Sequence, residues 1–121
     1  MSMSPIDKII ALEICPKASE FHLQLDEAPV LVAQDRACPY DNGLNTQLQK
    51  IAEKHKIPLQ TAVLSAFASD ASYAMMYGYV PKAACLCFLA ENTHGYEIAH
   101  LGALVNCYEL LKNSIINEEK L

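Results

Sequence analysis

The sequence predicts an α/β fold, with a mixed, largely parallel sheet and helices packed over it. Two observations support this prediction: apolar runs of strand length recur along the chain, and segments of helical periodicity lie between them. The composition agrees, because 52% of the 121 residues are hydrophobic and 19% are charged, as in a compact globular protein. The length fits one domain. We therefore expect a single α/β domain over residues 1–121.

The first part of the chain contains two predicted strands. Residues 6–15, IDKIIALEIC, are mostly aliphatic and have no helix cap, so they are interpreted as a buried strand limited by Pro16. Residues 29–33, PVLVA, are rich in β-branched residues and are interpreted as a central strand that ends near Asp35. The intervening residues 17–28 fit either a short strand or an extended loop.

A helix and a third strand follow the turn sequence PYDNG. Asn42 or Asn45 can cap a helix that ends near His55. Residues 59–65, LQTAVLS, form the next predicted strand. The apolar residues of the helix repeat at helical spacing, and we expect one face to contain Leu44, Leu48, Ile51 and Ala52.

The second half of the chain predicts a helix, a strand and a final helix. Small and apolar residues recur at helical spacing over residues 69–79, with Gly78 near the end. The unbroken apolar run AACLCFLA, residues 83–90, indicates a strand that is covered on both faces. An amphipathic helix of about 17 residues begins near Tyr96. Its predicted inward residues are Ile98, Leu101, Leu104, Val105, Tyr108 and Leu111.

The charge balance argues against two classes of partner. The net charge is −5, and the nine basic residues are scattered, so the sequence lacks the basic face that nucleic acid requires. No apolar stretch reaches the roughly 18 residues needed to span a membrane, and the N-terminus does not resemble a signal peptide. We therefore predict a cytoplasmic protein with no nucleic-acid or membrane partner.

The five cysteines suggest core residues in a reducing compartment. Cys85 and Cys87 share one face of a strand, but no second pair has the spacing of a zinc finger. A thiol enzyme that uses Cys38, Cys85 or Cys87 near a histidine is a more distant alternative.

Acidic residues follow the predicted strands. Glu13 lies in or at the end of the first, Asp35 follows the second, Asp70 follows the third, and residues 91–94 follow the fourth. Because ligands bind beyond the carboxyl ends of the strands in open α/β sheets, we expect these groups to converge at one edge. Converging carboxylates repel each other, and a set of carboxylates with histidine suits zinc, cobalt or manganese.

Structural roles for the same acidic residues remain open. Asp70 can cap a helix that begins near Ala71, and Asp35 or Asp41 can order a turn. Glu13 is surrounded by aliphatic residues, so burial of its charge requires a cation, a contact with Arg36 or a raised pKa. A solvent-facing position on a sheet edge is the alternative for Glu13.

The segment HGYEIAH sets His94, Glu97 and His100 three positions apart. Gly95 allows a tight turn, which makes His94 a loop residue, whereas Glu97 and His100 are predicted to fall one turn apart in the last helix. Glu97 can orient a ligand or interact with the helix N-terminus. The spacing is not that of the HExxH zinc motif.

Four segments in order resemble the C-terminal part of the glutamyl or deblocking aminopeptidases, a family of dinuclear metallopeptidases that includes tetrahedral particles. PIDKIIALEI (5–14) is similar to the family's PDVAIALDV, with Glu13 at the position of a metal-binding aspartate. APVLVAQD (28–35) is similar to GPVIKVMD, and ASDA (68–71) is similar to GTDA. CLCFLAENTHG (85–95) is similar to the strand and loop ISIPTRYIHS, which ends near a metal-binding histidine.

This resemblance implies the C-terminal portion of a phosphorylase/hydrolase-like metallopeptidase domain. It implies that Glu13 and His94 each bind one of two divalent metals, with zinc or cobalt expected, and that Asp35, Asp70 and Glu97 line or support the site. The family's Glu-Glu pair and its bridging aspartate have no counterpart in this sequence. We therefore expect no catalytic residue and little peptidase activity from this chain alone.

Two functions are consistent with the resemblance. The first is the C-terminal part of an aminopeptidase that removes N-terminal residues from peptides and is completed by the missing residues. The alternative is a non-catalytic α/β binding or assembly module on the peptidase scaffold. An unfilled sheet edge invites pairing with another chain, so both predict self-association.

Overall fold

The computed structural model describes residues 6–16, 27–65, 67–91 and 98–119. The prediction for residues 17–28 therefore falls largely outside the described residues. Along the chain, the elements are β1 (Lys8–Pro16), β2 (Val30–Asp35), α1 (Asn42–Lys54), β3 (Gln60–Leu64), α2 (Asp70–Met76), β4 (Lys82–Glu91), β5 (Ile98–Ala99) and α3 (Leu101–Glu119). Within these ranges, no helix is long and apolar enough to cross a membrane.

The strands form a mixed sheet with the order β1-β4-β2-β3, and the short β5 pairs with the end of β4. β1 is parallel to β4, and β2 is parallel to β3. The two pairs meet in an antiparallel contact between β2 and β4. The predicted fold class, an α/β domain with a mixed and largely parallel sheet, is confirmed.

β4 carries the core on both of its faces. Cys85 and Cys87 pack with Val30 and Val32 on the face that α2 covers. Leu86, which lies between the two cysteines, packs with residues of α1 and α3 on the opposite face. The unbroken apolarity of this strand is explained by burial on both sides, as predicted.

α1 begins at a different cap from the two that we predicted. The Asp41 carboxylate accepts a hydrogen bond of 2.8 Å from the Leu44 backbone N–H, so Asp41 is the N-cap. Asn45 is instead buried inside the helix and donates to the Val32 carbonyl at 3.1 Å. The predicted inner face is confirmed, because Leu44, Leu48, Ile51 and Ala52 are all buried.

α2 is shorter than predicted and is capped by Ser69. The Ser69 hydroxyl accepts from the Ser72 backbone N–H at 3.2 Å, and the Ser69 backbone N–H donates to the Ser72 hydroxyl at 3.3 Å, which completes a capping box. Asp70 is therefore the first helical residue and not the cap. Gly78, with φ of +80°, follows the helix in a conformation that favours glycine.

β1 was predicted to be buried, but it lies at the edge of the sheet. β4 is its neighbour in the strand order, and among the described residues no strand flanks its other side. Leu12 is 57% exposed and Ile14 is 37% exposed. The aliphatic sequence correctly indicated a strand, but it did not indicate that one side of the strand would lack a neighbour.

α3 turns a different face to the sheet from the one predicted. Its buried side contains Ala103, Cys107, Leu110 and Ser114. Small side chains there allow the helix to lie close to the sheet. Four residues that the sequence analysis placed inward are exposed, namely Leu101, Leu104, Val105 and Tyr108.

The predicted start of α3 near Tyr96 is also wrong, because Ile98–Ala99 pairs with β4 as β5 and α3 begins at Leu101. His100 therefore precedes the helix, where its Nδ1 accepts from the Gly102 N–H at 2.9 Å.

Candidate metal centre

Glu13 lies on β1, opposite Cys87 of β4 in the parallel register. Alternation along the strand places it on the same face as Ala11 and Cys15, the face that α2 covers. Partial burial raises the pKa of the Glu13 carboxyl, and the nearby negative charge of Asp70 raises it further. Glu13 therefore has the raised pKa that was one of the predicted alternatives, and a cation beside it would relieve the repulsion.

The parallel pairing of β1 and β4 directs both strands towards the same end of the sheet. Pro16, at the end of β1, pairs with Ala90, and β4 ends one residue later at Glu91. His94 and Glu97 lie outside the described residues. The proximity of His94 to Glu13 therefore stays a prediction, which the strand directions make possible.

Asp35 does not share that end of the sheet. Because β2 runs antiparallel to β4, the carboxyl ends of β2 and β3 point away from those of β1 and β4. The expectation that all four strand ends converge is wrong for this reason. Alternating strands and helices predicted a sheet, but only the long-range pairing fixed the direction of each strand.

Asp35 instead organises a buried polar cluster. Its carboxylate accepts hydrogen bonds from the Ala37 N–H at 2.8 Å, the Cys38 N–H at 3.3 Å and the Ser69 N–H at 3.3 Å. The Tyr40 hydroxyl donates to the same carboxylate at 2.5 Å and lies 2.6 Å from the Ser69 hydroxyl oxygen. Burial raises the pKa of the Tyr40 hydroxyl, and its bond to Asp35 raises it further. The predicted turn-ordering role of Asp35 is confirmed.

This cluster also fixes the start of α2 and therefore the position of Asp70. Ser69 is bound by Asp35 and Tyr40 and caps the helix, and Asp70 is the next residue. Asp70 is exposed, but its charge acts on Glu13. Asp35 thus influences the surroundings of Glu13 through α2. The sequence analysis missed Tyr40 and Ser69, although a serine directly before a helical run was a usable cap signal.

The described thiols have the properties of core residues. The Sγ atoms of Cys85 and Cys87 lie 3.5 Å apart, and the Cys107 thiol donates to the Cys87 carbonyl at 3.6 Å. Hydrogen bonds from Cys15 and Cys85 raise the pKa of Cys87, and burial raises the pKa of Cys107 to about 11. Burial also raises the pKa of Cys38. The raised pKa values make Cys38 and Cys87 poor nucleophiles, which disfavours the thiol-enzyme alternative for these two residues. A hydrogen bond with Cys87 lowers the pKa of Cys15, but that thiol is buried.

The described part of the chain supplies one predicted metal ligand. Over residues 6–16, 27–65, 67–91 and 98–119, no group of three or more His, Cys, Asp or Glu side chains could hold a metal ion. Glu13 fits a metal site as a single oxygen donor near a second carboxylate. These residues therefore fit one part of a metal site, and further ligands must come from elsewhere.

Comparison with known protein families identifies the scaffold. A sequence model described as M42 glutamyl aminopeptidase matches residues 2–110. This chain belongs to the M42 glutamyl aminopeptidase family. The match includes the segments around Glu13, Asp35, Asp70 and His94 and confirms the resemblance seen in the sequence. No curated protein sequence matches this M42 chain closely enough to count as a relative.

Solved structures of M42-type peptidases share the fold. PhTET1-12s, solved with a dodecamer in the asymmetric unit, matches with a TM-score of 0.81, 25% identity and 90% of this chain covered. A TET aminopeptidase from a marine sediment archaeon of the Thaumarchaeota matches with a TM-score of 0.83, 21% identity and 90% coverage. The TET1 peptidase of Pyrococcus horikoshii, which can assemble into a tetrahedron or an octahedral shell, matches with a TM-score of 0.78, 25% identity and 88% coverage.

The M42 chain spans only about a third of the length of these structures. The aligned region covers 33% of the PhTET1-12s chain and 32% of each of the other two. About two thirds of each relative therefore has no counterpart in the 121 residues. What the complete peptidases do can be carried to this chain only as a proposal.

Proposed function

We propose that this chain is the C-terminal part of a divalent-metal-dependent aminopeptidase, in which the residues that it does not span complete the active site. The observation that carries this proposal is the family match over residues 2–110. The substrate of the complete enzyme would be a peptide with a free N-terminus. The cytoplasmic location and the incomplete domain stay predictions from the sequence.

In this proposal, Glu13 and His94 each contribute a ligand, and zinc or cobalt is the expected metal. Support comes from the raised pKa of Glu13, since a carboxylate held near Asp70 gains from a neighbouring cation. Bound metal would supply the complete site with a water of lowered pKa. Asp70 adds negative charge beside Glu13, and the Asp35 cluster holds Asp70 in place through Ser69. Glu97 would support a ligand.

Isothermal titration of the chain with zinc tests the metal proposal. Because the proposal gives each metal one ligand from this chain, we expect zinc binding to the chain alone to be weak, with one binding event weakened at least tenfold in Glu13→Gln and the other in His94→Ala. Glu53→Gln and His55→Ala are matched controls, because both residues are exposed near the end of α1. Unchanged affinity in the Glu13 and His94 variants would rule out this pair of ligands.

Peptidase activity provides the second test. The adjacent glutamates of this chain, Glu118 and Glu119, follow the matched segments and are not the counterpart of the family's Glu-Glu pair, so we expect no hydrolysis of an aminoacyl 4-nitroanilide above the buffer rate. Metal-dependent turnover by the purified chain that is lost in Glu13→Gln would contradict the assignment of catalysis to the missing residues.

A non-catalytic binding or assembly module is the second candidate. The observation in its favour is that the chain retains the fold of the TET peptidases with about a third of their length. The titration separates the two candidates: a module that has lost catalysis has no reason to bind zinc through Glu13 and His94. Self-association is proposed for both, since the similar PhTET1-12s structure is a dodecamer.

A further inference from the structure

The start of α1 contains an asparagine followed by a glycine. Asn42 and Gly43 are the first two residues of the helix, and both are exposed. The sequence analysis used them only as a turn and cap signal, and the proposed peptidase function gives them no role. An Asn-Gly pair has a chemistry of its own, because the asparagine side chain is an electrophile and the glycine nitrogen is a nucleophile next to it.

The reaction is the loss of ammonia from the Asn42 side chain. The backbone nitrogen of Gly43 loses its proton and attacks Cγ of Asn42, so that a C–N bond forms and the side-chain nitrogen leaves as ammonia. Water then opens the resulting cyclic imide at either of its carbonyls. The products are aspartate and isoaspartate, and in isoaspartate the main chain runs through the former side chain. The net reaction consumes one water, releases one ammonia and requires no oxidant or reductant.

The position of this pair at a helix start leaves the nucleophile accessible. Gly43 has no side chain to shield its nitrogen, and the N–H groups of a first helical turn have no carbonyl partner within the helix. A helical backbone directs this nitrogen away from Cγ of Asn42, so the first turn must open before the ring can close. Glycine makes the opening easier, since it is a poor helix former.

The Asp41 cap holds the first turn closed. Its carboxylate accepts from the Leu44 N–H at 2.8 Å, and its backbone N–H donates to the Ala83 carbonyl of β4 at 3.1 Å. A Cβ added to Gly43 would lie 3.3 Å from Oδ2 of Asp41, so the carboxylate also packs beside Gly43. We propose that Asn42 is a site of spontaneous deamidation and that the Asp41 cap sets its rate. This inference does not depend on the proposed function.

Two other asparagines show what protects this side chain elsewhere. Asn113 precedes the small residue Ser114, but it lies inside α3, and its Nδ2 donates to the Glu109 carbonyl at 2.8 Å. Asn45 is buried in α1 and donates to the Val32 carbonyl at 3.1 Å. A helix interior and a bonded amide both oppose ring closure, so Asn113 and Asn45 should persist where Asn42 converts.

The isoaspartate product would disturb α1 where the helix packs on the sheet. Leu44, two residues after Asn42, is buried with Leu31, Leu48 and Ala84. Isoaspartate adds a carbon to the main chain directly before this contact. Aspartate keeps the main chain and adds a negative charge at a helix N-terminus, which is favourable. The route through isoaspartate therefore weakens the start of α1, and the route through aspartate does not.

Incubation of the purified chain at pH 8 and 37 °C tests the proposal. Trypsin releases residues 37–50 by cleaving after Arg36 and Lys50, and chromatography with mass spectrometry measures the conversion of Asn42 in this peptide. Because helix ends open far more often than helix interiors, Asn42 should convert at least about tenfold faster than Asn113 in the same sample.

Two variants at position 41 test the control by the cap. Asp41→Ala removes the acceptor of the Leu44 N–H, so the first turn opens more often and the rate should rise about fivefold. Asp41→Ser retains a side-chain cap, so the rate should stay within about twofold of the wild type. Asn42→Gln should abolish the conversion, because the longer side chain closes its ring slowly.

Two results would overturn the proposal. One is an Asn42 that stays as intact as Asn113 throughout the incubation. The other is a rate that Asp41→Ala leaves unchanged or lowers, which would exclude control by the cap. Asn113 also reports on general damage: a local effect of Asp41→Ala leaves its slow rate unchanged, whereas equal acceleration of both asparagines would mean global unfolding and would contradict the assignment to the first turn.

Discussion

The two edge strands of the sheet, β3 and β1, differ in length and in the contacts beside them. β3 is a short strand of five residues, and the side chain of its first residue, Gln60, donates a hydrogen bond to the Ala28 carbonyl at 3.0 Å. Its partner β2 ends in the Asp35 cluster. β1, at the other edge, has nine residues and exposes Leu12 and Ile14. Val63 of β3 is also exposed, so among the described residues the two edges differ in strand length and in the polar contacts beside them, which make the longer β1 the edge more open to pairing.

The largest expected change in stability concerns the Asp35 cluster, at the end of β2 beside the β3 edge. Asp35→Ala removes the acceptor of four hydrogen bonds and leaves buried donors unsatisfied, so we expect the free energy of unfolding to fall by about 3 kcal/mol. Urea denaturation measures this change. Asp7→Ala, at an exposed position before β1, should stay within about 0.5 kcal/mol of the wild type. Equal effects would mean that the Asp35 cluster does not hold the β3 side together.

Tyr40→Phe should have the next largest effect. It removes the hydroxyl that joins Asp35 to Ser69 but keeps the buried ring, so the expected loss is about 1–2 kcal/mol. Tyr77→Phe is the control, because Tyr77 is exposed and its change should be within about 0.5 kcal/mol. A loss in Tyr40→Phe no larger than in the control would show that the hydroxyl contributes little.

Dye binding tests the exposed apolar side chains of β1 and α3. Leu12→Lys and Tyr108→Lys break up the exposed apolar surface, so each should lower the fluorescence of bound anilinonaphthalene sulfonate about twofold. Val63→Lys, on the β3 edge, should leave it nearly unchanged. Equal reductions at both edges would remove the distinction between them.

The smallest effect concerns Glu13. Its pKa is raised by burial and by Asp70, so its ionisation opposes folding: the stability that protonated Glu13 contributes is present at low pH and is lost as the pH rises through the raised pKa. In metal-free buffer, Glu13→Gln should therefore raise the Tm relative to the wild type at pH 7 and not at pH 4. A gain of the same size at both pH values would contradict the raised pKa. Glu53→Gln is the matched control.

Local sequence patterns predicted the elements well. The apolar runs around Ile10, Leu31 and Leu86 are strands, and the helical periodicity around Leu48 gives α1 with its predicted inner face. These predictions are correct because the spacing of apolar residues depends only on the segment itself. The direction of β2 could not be predicted, since it depends on pairing with β4 far along the chain.

The failures on α3 and β1 have one physical cause. Hydrophobicity marks Leu104 and Tyr108 as residues that favour burial, but it cannot say whether the burying surface belongs to the same chain. α3 does bury the small residue Ala103. Its burial follows from the close approach of the helix to the sheet, which the sequence alone does not show. For the candidate site, a lone carboxylate in an aliphatic run drew attention to Glu13, whereas the roles of Tyr40 and Ser69 required the folded contacts.

The parallel pairing of β1 with β4 has a consequence for biosynthesis. Glu13 is matched with Cys87, 74 positions further on, so β1 cannot enter the sheet until the ribosome has produced β4. During that interval, β1 has no paired strand, and its exposed aliphatic side chains favour aggregation. We expect nascent chains stalled before β4 to be clients of chaperones, and the release of the chain from them to coincide with the synthesis of β4.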